Sequence, residues 1–330
     1  MAKENAKQID PTRRLASWLQ IAVQVGSLIL IGALIWTHKE RIWGQLTGGN
    51  PYLIGVAFLL IGTVTVLSAT RIRVLANAFI EANGPFVSWR RYYYLNTGTR
   101  AAALFIPRSL STIGGKSVGL RTLGFPLARS LWIVFLDNAF DLGLLGLLVI
   151  PSLLAIQGTL NWTGLAVVTI LLVAGLALAV WEIEDIEWLE TEFKKLVHHP
   201  WIQKHVRVDP EAAPSLLPDR RSALTALGLT IALNLILGVQ YWVIAQAVGV
   251  AEPIGLFLAG FPVTQLSLIL AMTPGGIGVF DASWYGVLRL GGLSNQDALA
   301  FVVAQRAYIF VFVLIWAGVS ALLSMTERSR

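Results

Sequence analysis

The chain has 330 residues, 55% of them hydrophobic and only 13% charged, with a mean hydropathy of +0.68. A soluble domain carries about 25% charged residues, so composition excludes a soluble enzyme and points to a polytopic membrane protein. A net charge of +6 does not bring in nucleic acid, because the basic residues lie between apolar stretches instead of clustering on one soluble face, and the lack of cysteine excludes disulfides and thiolate metal sites.

The N-terminus, Met1 to Arg14, is polar and basic, and the first apolar window, Trp18 to Thr37, reaches its end without a small-residue cleavage site. It reads as a retained helix, not a signal peptide. Further windows near the length needed for about 30 Å of hydrocarbon run over Pro51 to Thr70, Ser130 to Ile156, Thr163 to Trp181, Ala223 to Val250 and Ala298 to Ser324, giving six spans. Loop 182–221 opens with Glu182-Ile183-Glu184-Asp185-Ile186-Glu187-Trp188-Leu189, whose apolar residues at helical spacing oppose an acidic face, as in an interfacial helix. Pro200, Pro210, Pro214 and Pro218 then mark an irregular linker, too short for a catalytic domain, so residues 1–330 read as one integral membrane domain.

Two other apolar stretches, Tyr92 to Ile106 and Ile254 to Thr273, run into breaks rich in proline and glycine. They are followed by amphipathic pieces ending near Leu123 and Leu290. The first break is Phe105-Ile106-Pro107-Arg108 through Gly114-Gly115-Lys116; the second is Pro274-Gly275-Gly276-Ile277-Gly278-Val279-Phe280-Asp281. Helix breakers and charges at membrane depth are tolerated chiefly where protein shields the backbone or where it lines a polar cavity. Each break therefore reads as the tip of a re-entrant hairpin beside a substrate path; a tight extracellular loop is the plainer alternative for the second.

One constant shift lays Leu120-Arg121 on Leu288-Arg289, Gly124 on Gly292, Leu131 on Leu299, Val134 on Val302 and Ala139 on Ala307, with Pro107 one residue from Pro274. The expected architecture is all-α, with two repeats, about 15–156 and 163–324. Each holds three spanning helices and a re-entrant broken hairpin, and three spans per half make the repeats inverted relative to each other. If the N-terminus is cytoplasmic, Lys3, Lys7, Arg13 and Arg14, then Arg71, Arg73, Arg90 and Arg91, then Lys194 to Arg221, then Arg328 and Arg330 share its side, and the outer loops keep only Lys39 and Arg41. Both termini are accordingly expected in the cytoplasm, in a multi-pass protein of the cell membrane. Trp18, Trp36, Trp43, Trp89, Trp162 and Trp181 sit at span ends as interfacial anchors.

Asp137 and Asp141 are four residues apart, so both carboxylates face one side of a helix and repel unless a cation or proton intervenes. Arg306 lies deep in the last apolar run and is expected to pair with Asp137, Asp141 or Asp281, either as a brace or as a gate. Asp281 could equally cap the returning arm. Arg100, Arg108, Lys116 and Arg121 gather at the first hairpin, where Gly114 and Gly115 add backbone donors; guanidinium forks and a point-charge lysine suit a phosphate headgroup. Snorkelling and positive-inside bias are the competing explanation of these four cations.

Other signals fail. Gly115-Lys116-Ser117 ends like a nucleotide-binding loop, but position 110 is leucine where that motif has glycine. His198, His199 and His205 share a loop without a partner, and no hydrolase or metalloprotease motif is present in a credible setting. Neither a metal nor a cofactor is expected.

At these residues the chain resembles the transmembrane, flippase-like region of the lysylphosphatidylglycerol synthase (multiple peptide resistance factor) family. The likeness rests on Pro274 to Asp281, on Gly292 and Ala298 through Arg306, and on Pro107-Arg108 followed by Asp137 through Asp141, and it covers most of the chain. It implies movement of phospholipids or glycolipids between leaflets, without the synthase domain that the family sometimes carries. Two departures imply a different headgroup: Asp281 stands where the family often has glutamate, and Gly114-Gly115-Lys116 where it has glutamate in the first hairpin.

The expected function is translocation of an anionic phospholipid, aminoacyl-phospholipid or lipid-linked sugar. Substrate contacts are assigned to Arg100, Arg108, Gly114, Gly115, Lys116, Arg121, Pro274, Gly275, Gly276, Gly278 and Arg306, and charge balance or proton uptake to Asp137, Asp141 and Asp281. Expected partners are that lipid, a second copy of the chain and an enzyme that makes the lipid. An integral-membrane enzyme acting on a lipid-linked substrate, and a non-catalytic assembly factor, are the alternatives from other classes.

Overall fold

The structure, a computed structural model of the chain, describes residues 47–80, 87–107, 110–182, 218–268 and 273–328, with residues 36, 37, 39, 40 and 44. Nearly all of the expected first span, most of loop 182–221 with its interfacial helix, the histidines of that loop, and Arg108 lie outside the described residues.

Among the described residues the chain is helical. In order come α1 (Pro51–Asn77), α2 (Trp89–Ala102), a π-helical turn (Leu110–Gly115), α3 (Lys116–Thr122) and α4 (Leu127–Ile156). They are followed by α5 (Trp162–Trp181), α6 (Arg220–Ala247), α7 (Ile254–Ser267), α8 (Val279–Leu290) and α9 (Asn295–Arg328). Five of these, α1, α4, α5, α6 and α9, are long and apolar enough to cross a membrane, which makes this a multi-pass membrane protein.

Local chemistry accounts for where the helices begin. Asn50 accepts from the backbone N–H of Tyr52 and Leu53 ahead of Pro51, Asn161 from Gly164 at 2.6 Å, and Asp219 from Ser222 at 3.1 Å. Ser294 Oγ accepts from the Asp297 N–H and donates to its carboxylate at 2.6 Å, opening α9. α1 corrects one expectation: it continues past Thr70 to Asn77, so Arg71 and Arg73 are helical residues and not loop charges. Ile72, Leu75 and Ala76 extend the apolar face there and bury fully, which outweighs the cost of carrying two arginines into the helix.

The helices pack around α1 and α6, which lie against each other; α4 packs on α7, and α2 on α9. Gly62 of α1 makes room for the Trp316 indole, which stacks on Phe58 with ring centroids 5.2 Å apart. α5 is peripheral, with 11% of its most apolar stretch buried and Ile170, Leu171 and Leu178 exposed. One core joins α1 to α6 through α9; a second lies among the end of α1, α2, α3 and α4. The interrupted region α7 to α8 contributes to the first core, and α2 to α3 to the second.

Candidate functional site

The second break turns on glycines. Gly275, Gly276 and Gly278 adopt φ of +61°, +68° and +92°, a region L side chains rarely occupy, and this turns the chain from α7 into α8. The first break passes through Ala103 to Pro107. Their tips meet: Pro107 and Pro274 form an isolated antiparallel bridge, and the Gly275 N–H donates to the Ala103 carbonyl at 2.8 Å. Polar backbone left unpaired by the breaks is thus satisfied across the two halves of the chain.

Beside the tips lies an ion pair. Asp281, in the first turn of α8, accepts at Oδ2 from the Gly278 N–H at 3.0 Å and at Oδ1 from Arg306 Nε and Nη2 at 3.0 and 2.7 Å. Gln305 Nε2 also donates to Oδ1, at 3.2 Å. Arg306 Nη1 reaches the Gly275 carbonyl at 2.7 Å, so one guanidinium joins α9, the glycine turn and α8. Its Cζ lies 5.7 Å from the Phe280 ring centroid. Of the three carboxylates considered for Arg306, the partner is Asp281. Asp281 caps α8 as well, so capping and ion pairing coexist in one side chain. The Arg306 side chain keeps 29% of its surface exposed and Asp281 6%, so the arginine is the open member.

A second cluster lies in the first half. Arg71 Nε donates to Asp137 Oδ1 at 2.7 Å; Nη1 donates to Asp141 Oδ1 at 2.7 Å and to Thr230 Oγ1 at 2.8 Å, and Nη2 to Asp141 Oδ2 at 2.8 Å. Lys116 Nζ takes Asp137 Oδ2 at 2.7 Å. Arg71 is therefore the cation that lets the two aspartates share a face. A lone arginine or aspartate at a helix centre costs about 2.5–3.5 kcal/mol on insertion scales; here all four charges are matched. Arg71, Asp137 and Lys116 are sealed, whereas 36% of the Asp141 side chain is exposed.

The two clusters have opposite polarity. In the first half the long helix α4 supplies carboxylate and the short α3 supplies ammonium; in the second, α9 supplies the cation and the short α8 the carboxylate. Arg100 and Arg121 occupy the last turns of α2 and α3, and Arg121 is exposed. Gly114 and Gly115 lie in the π-helical turn, where Gly115 has φ of −61° and does not act as a left-handed hinge. Sequence reasoning missed Arg71 and Thr230. The continuing apolar spacing at Ile72, Leu75 and Ala76 was the signal that Arg71 belongs inside a helix.

The family described as lysylphosphatidylglycerol synthase TM region matches residues 23–317, an interval that holds both breaks and both ion clusters. The chain belongs to this family. Membership in the lysylphosphatidylglycerol synthase TM region family gives it a membrane lipid-related function. A search of curated proteins found no match.

Proposed function

We propose that the protein moves an anionic phospholipid, aminoacyl-phospholipid or lipid-linked sugar between membrane leaflets, as a flippase or scramblase of the cell membrane. The observation that carries this reading is the meeting of two interrupted helices, each flanked by an ion pair to a long helix, inside a multi-pass bundle. Irregular backbone and charge at such a place are features of substrate paths.

In this reading the two interrupted elements are re-entrant hairpins entering from opposite sides, the first from the cytoplasm. α2 has 14 residues and α8 has 12, about 21 and 18 Å of helix, each short of a hydrocarbon layer about 30 Å thick. Reciprocal packing supports inverted repeats: α1 corresponds to α6, and α4 on α7 has its counterpart in α9 on α2. Both termini lie in the cytoplasm.

The headgroup enters between the hairpins while its tails stay in lipid. Phosphate oxygens compete with Asp281 for the exposed Arg306 fork, since charge-assisted bidentate bonds suit both acids. Arg108 adds to the phosphate contacts, Lys116 joins it on leaving the buried Asp137, and Arg100, Arg121 and the tip residues line the path. Asp141 and Asp281 balance charge or take up protons when the cations turn to the lipid. With no nucleotide-binding motif among the sequence's signals, movement is passive or driven by an ion gradient.

Purified protein in vesicles with a panel of labelled lipids, with and without a proton gradient, tests the proposal. Arg306→Ala and Asp281→Ala should each abolish translocation while membrane insertion stays intact. Lipid movement at the wild-type rate in both variants would refute the site.

A further inference from the structure

Arg71, Lys116 and Asp137 meet as buried charges in the first half, and the inverted-repeat reading, on which this inference rests, gives each a counterpart in the second. Buried faces set the register. Laying Ala57, Ala69, Leu75 and Ala76 of α1 on Ala226, Gly238, Ile244 and Ala245 of α6 brings Arg71 onto Gln240. Laying Ser130, Ile133, Val134 and Leu136 of α4 on Ala298, Phe301, Val302 and Ala304 of α9 brings Asp137 onto Gln305. Laying Leu120 of α3 on Leu288 of α8 brings Lys116 onto Trp284. Three charges become two amides and an indole.

An independent observation falls on two of these positions, as it also does on Tyr92 and Ser117 of the first half. Gln240 and Trp284 are both 0% exposed. Among the described residues the Gln240 amide nitrogen, the Gln240 amide oxygen and the Trp284 indole nitrogen have no hydrogen-bond partner. Tyr241, the next residue after Gln240, packs its ring 4.9 Å from that of Trp284 and holds α6 against α8 at this level. Gln305 is buried too, with its amide on Asp281.

We propose that Gln240, Trp284 and Gln305 line an internal water-binding site between α6, α8 and α9. Buried polar groups in native interiors are satisfied by protein or by ordered water, and water holds such sites when several polar partners converge. The amide and indole N–H groups donate to water oxygen, and the Gln240 oxygen accepts from water; an apolar ligand could do neither. Gln305 forms the wall towards Asp281, which puts water one side chain from that carboxylate. Asp137 has both oxygens on cations instead, so the corresponding position in the first half is held by charge.

Hydroxyl-radical footprinting by pulsed radiolysis of the full chain in lipid nanodiscs, read by mass spectrometry, tests this. Water bound beside a buried side chain is activated in place, so Trp284 should be oxidised despite its burial, after correction for intrinsic reactivity. Gln240→Leu should lower that oxidation several-fold, and Gln240→Val repeats the measurement should the leucine variant fail to insert. Protection of Trp284 to the level of Phe257 and Phe301, which are also fully buried, would overturn the site. Oxidation unchanged in the Gln240 variants would overturn the juxtaposition and the repeat register behind it. Translocation by the same preparation, assayed in parallel, separates the readings: labelling without lipid movement sinks only the transport proposal, and lipid movement without labelling sinks only this one.

Discussion

Asp137 is held by two cations at once, and that decides what its loss would do. Its carboxylate takes Arg71 and Lys116 at 2.7 Å each, in a place sealed from solvent. Removing one member of a buried pair strands the others and typically costs about 3–5 kcal/mol. Asp137→Ala should therefore lower the thermal midpoint in detergent sharply. Asp141→Ala should do much less, because its side chain is 36% exposed and water can replace it, as at exposed pairs worth about 0–1 kcal/mol. Equal losses in the two variants would show that Asp141 is as sealed as Asp137. At this scale the need of the two aspartates for a cation or a proton was legible from their four-residue spacing, and the structure supplies a cation. The identity of that cation was not, because Arg71 stood at the end of an apolar window where span and loop look alike.

At the scale of elements, the second tip depends on backbone that only glycine adopts with ease. Gly278 has φ of +92° and ψ of −67° immediately before α8, and its N–H is the one Asp281 accepts. Strained backbone of this kind costs about 1–3 kcal/mol for a residue with a side chain. Gly278→Ala should lower both stability and lipid movement; a variant with wild-type thermal midpoint would show that the turn relaxes without cost. Gly62 is a packing case. A Cβ there would meet the Trp316 ring, so Gly62→Val should push the indole off Phe58 and loosen α9 from α1. The thermal midpoint in detergent should fall, and an unchanged midpoint would count against the packing described. Both breaks were legible because proline and glycine act locally. The π-helical turn at Leu110–Gly115 was not, since Gly114 and Gly115 there take helical backbone and serve no turn.

For the whole molecule, the proposed inverted arrangement makes a prediction about sides. The chain has no native cysteine, so single cysteines report position without background. Thr159→Cys and Asn295→Cys should react with a membrane-impermeant maleimide from outside intact cells. Ser88→Cys and Glu182→Cys should react only after permeabilisation. Any exchange between the two groups would break the opposed orientation of the halves.

Apolar windows, helix breakers, capping residues and the bias of lysine and arginine all lie in short stretches of the chain, so the amino-acid sequence by itself determined a multi-pass helical protein, the places where its helices are interrupted, and its family resemblance. Which charge meets which carboxylate was settled only in three dimensions. Arg71 reaches Asp137 across 66 residues of chain and Thr230 across 159, and the two proline tips meet from opposite halves. Partners so far apart are chosen by helix packing, which aligns side chains on neighbouring surfaces, and no local pattern encodes that choice.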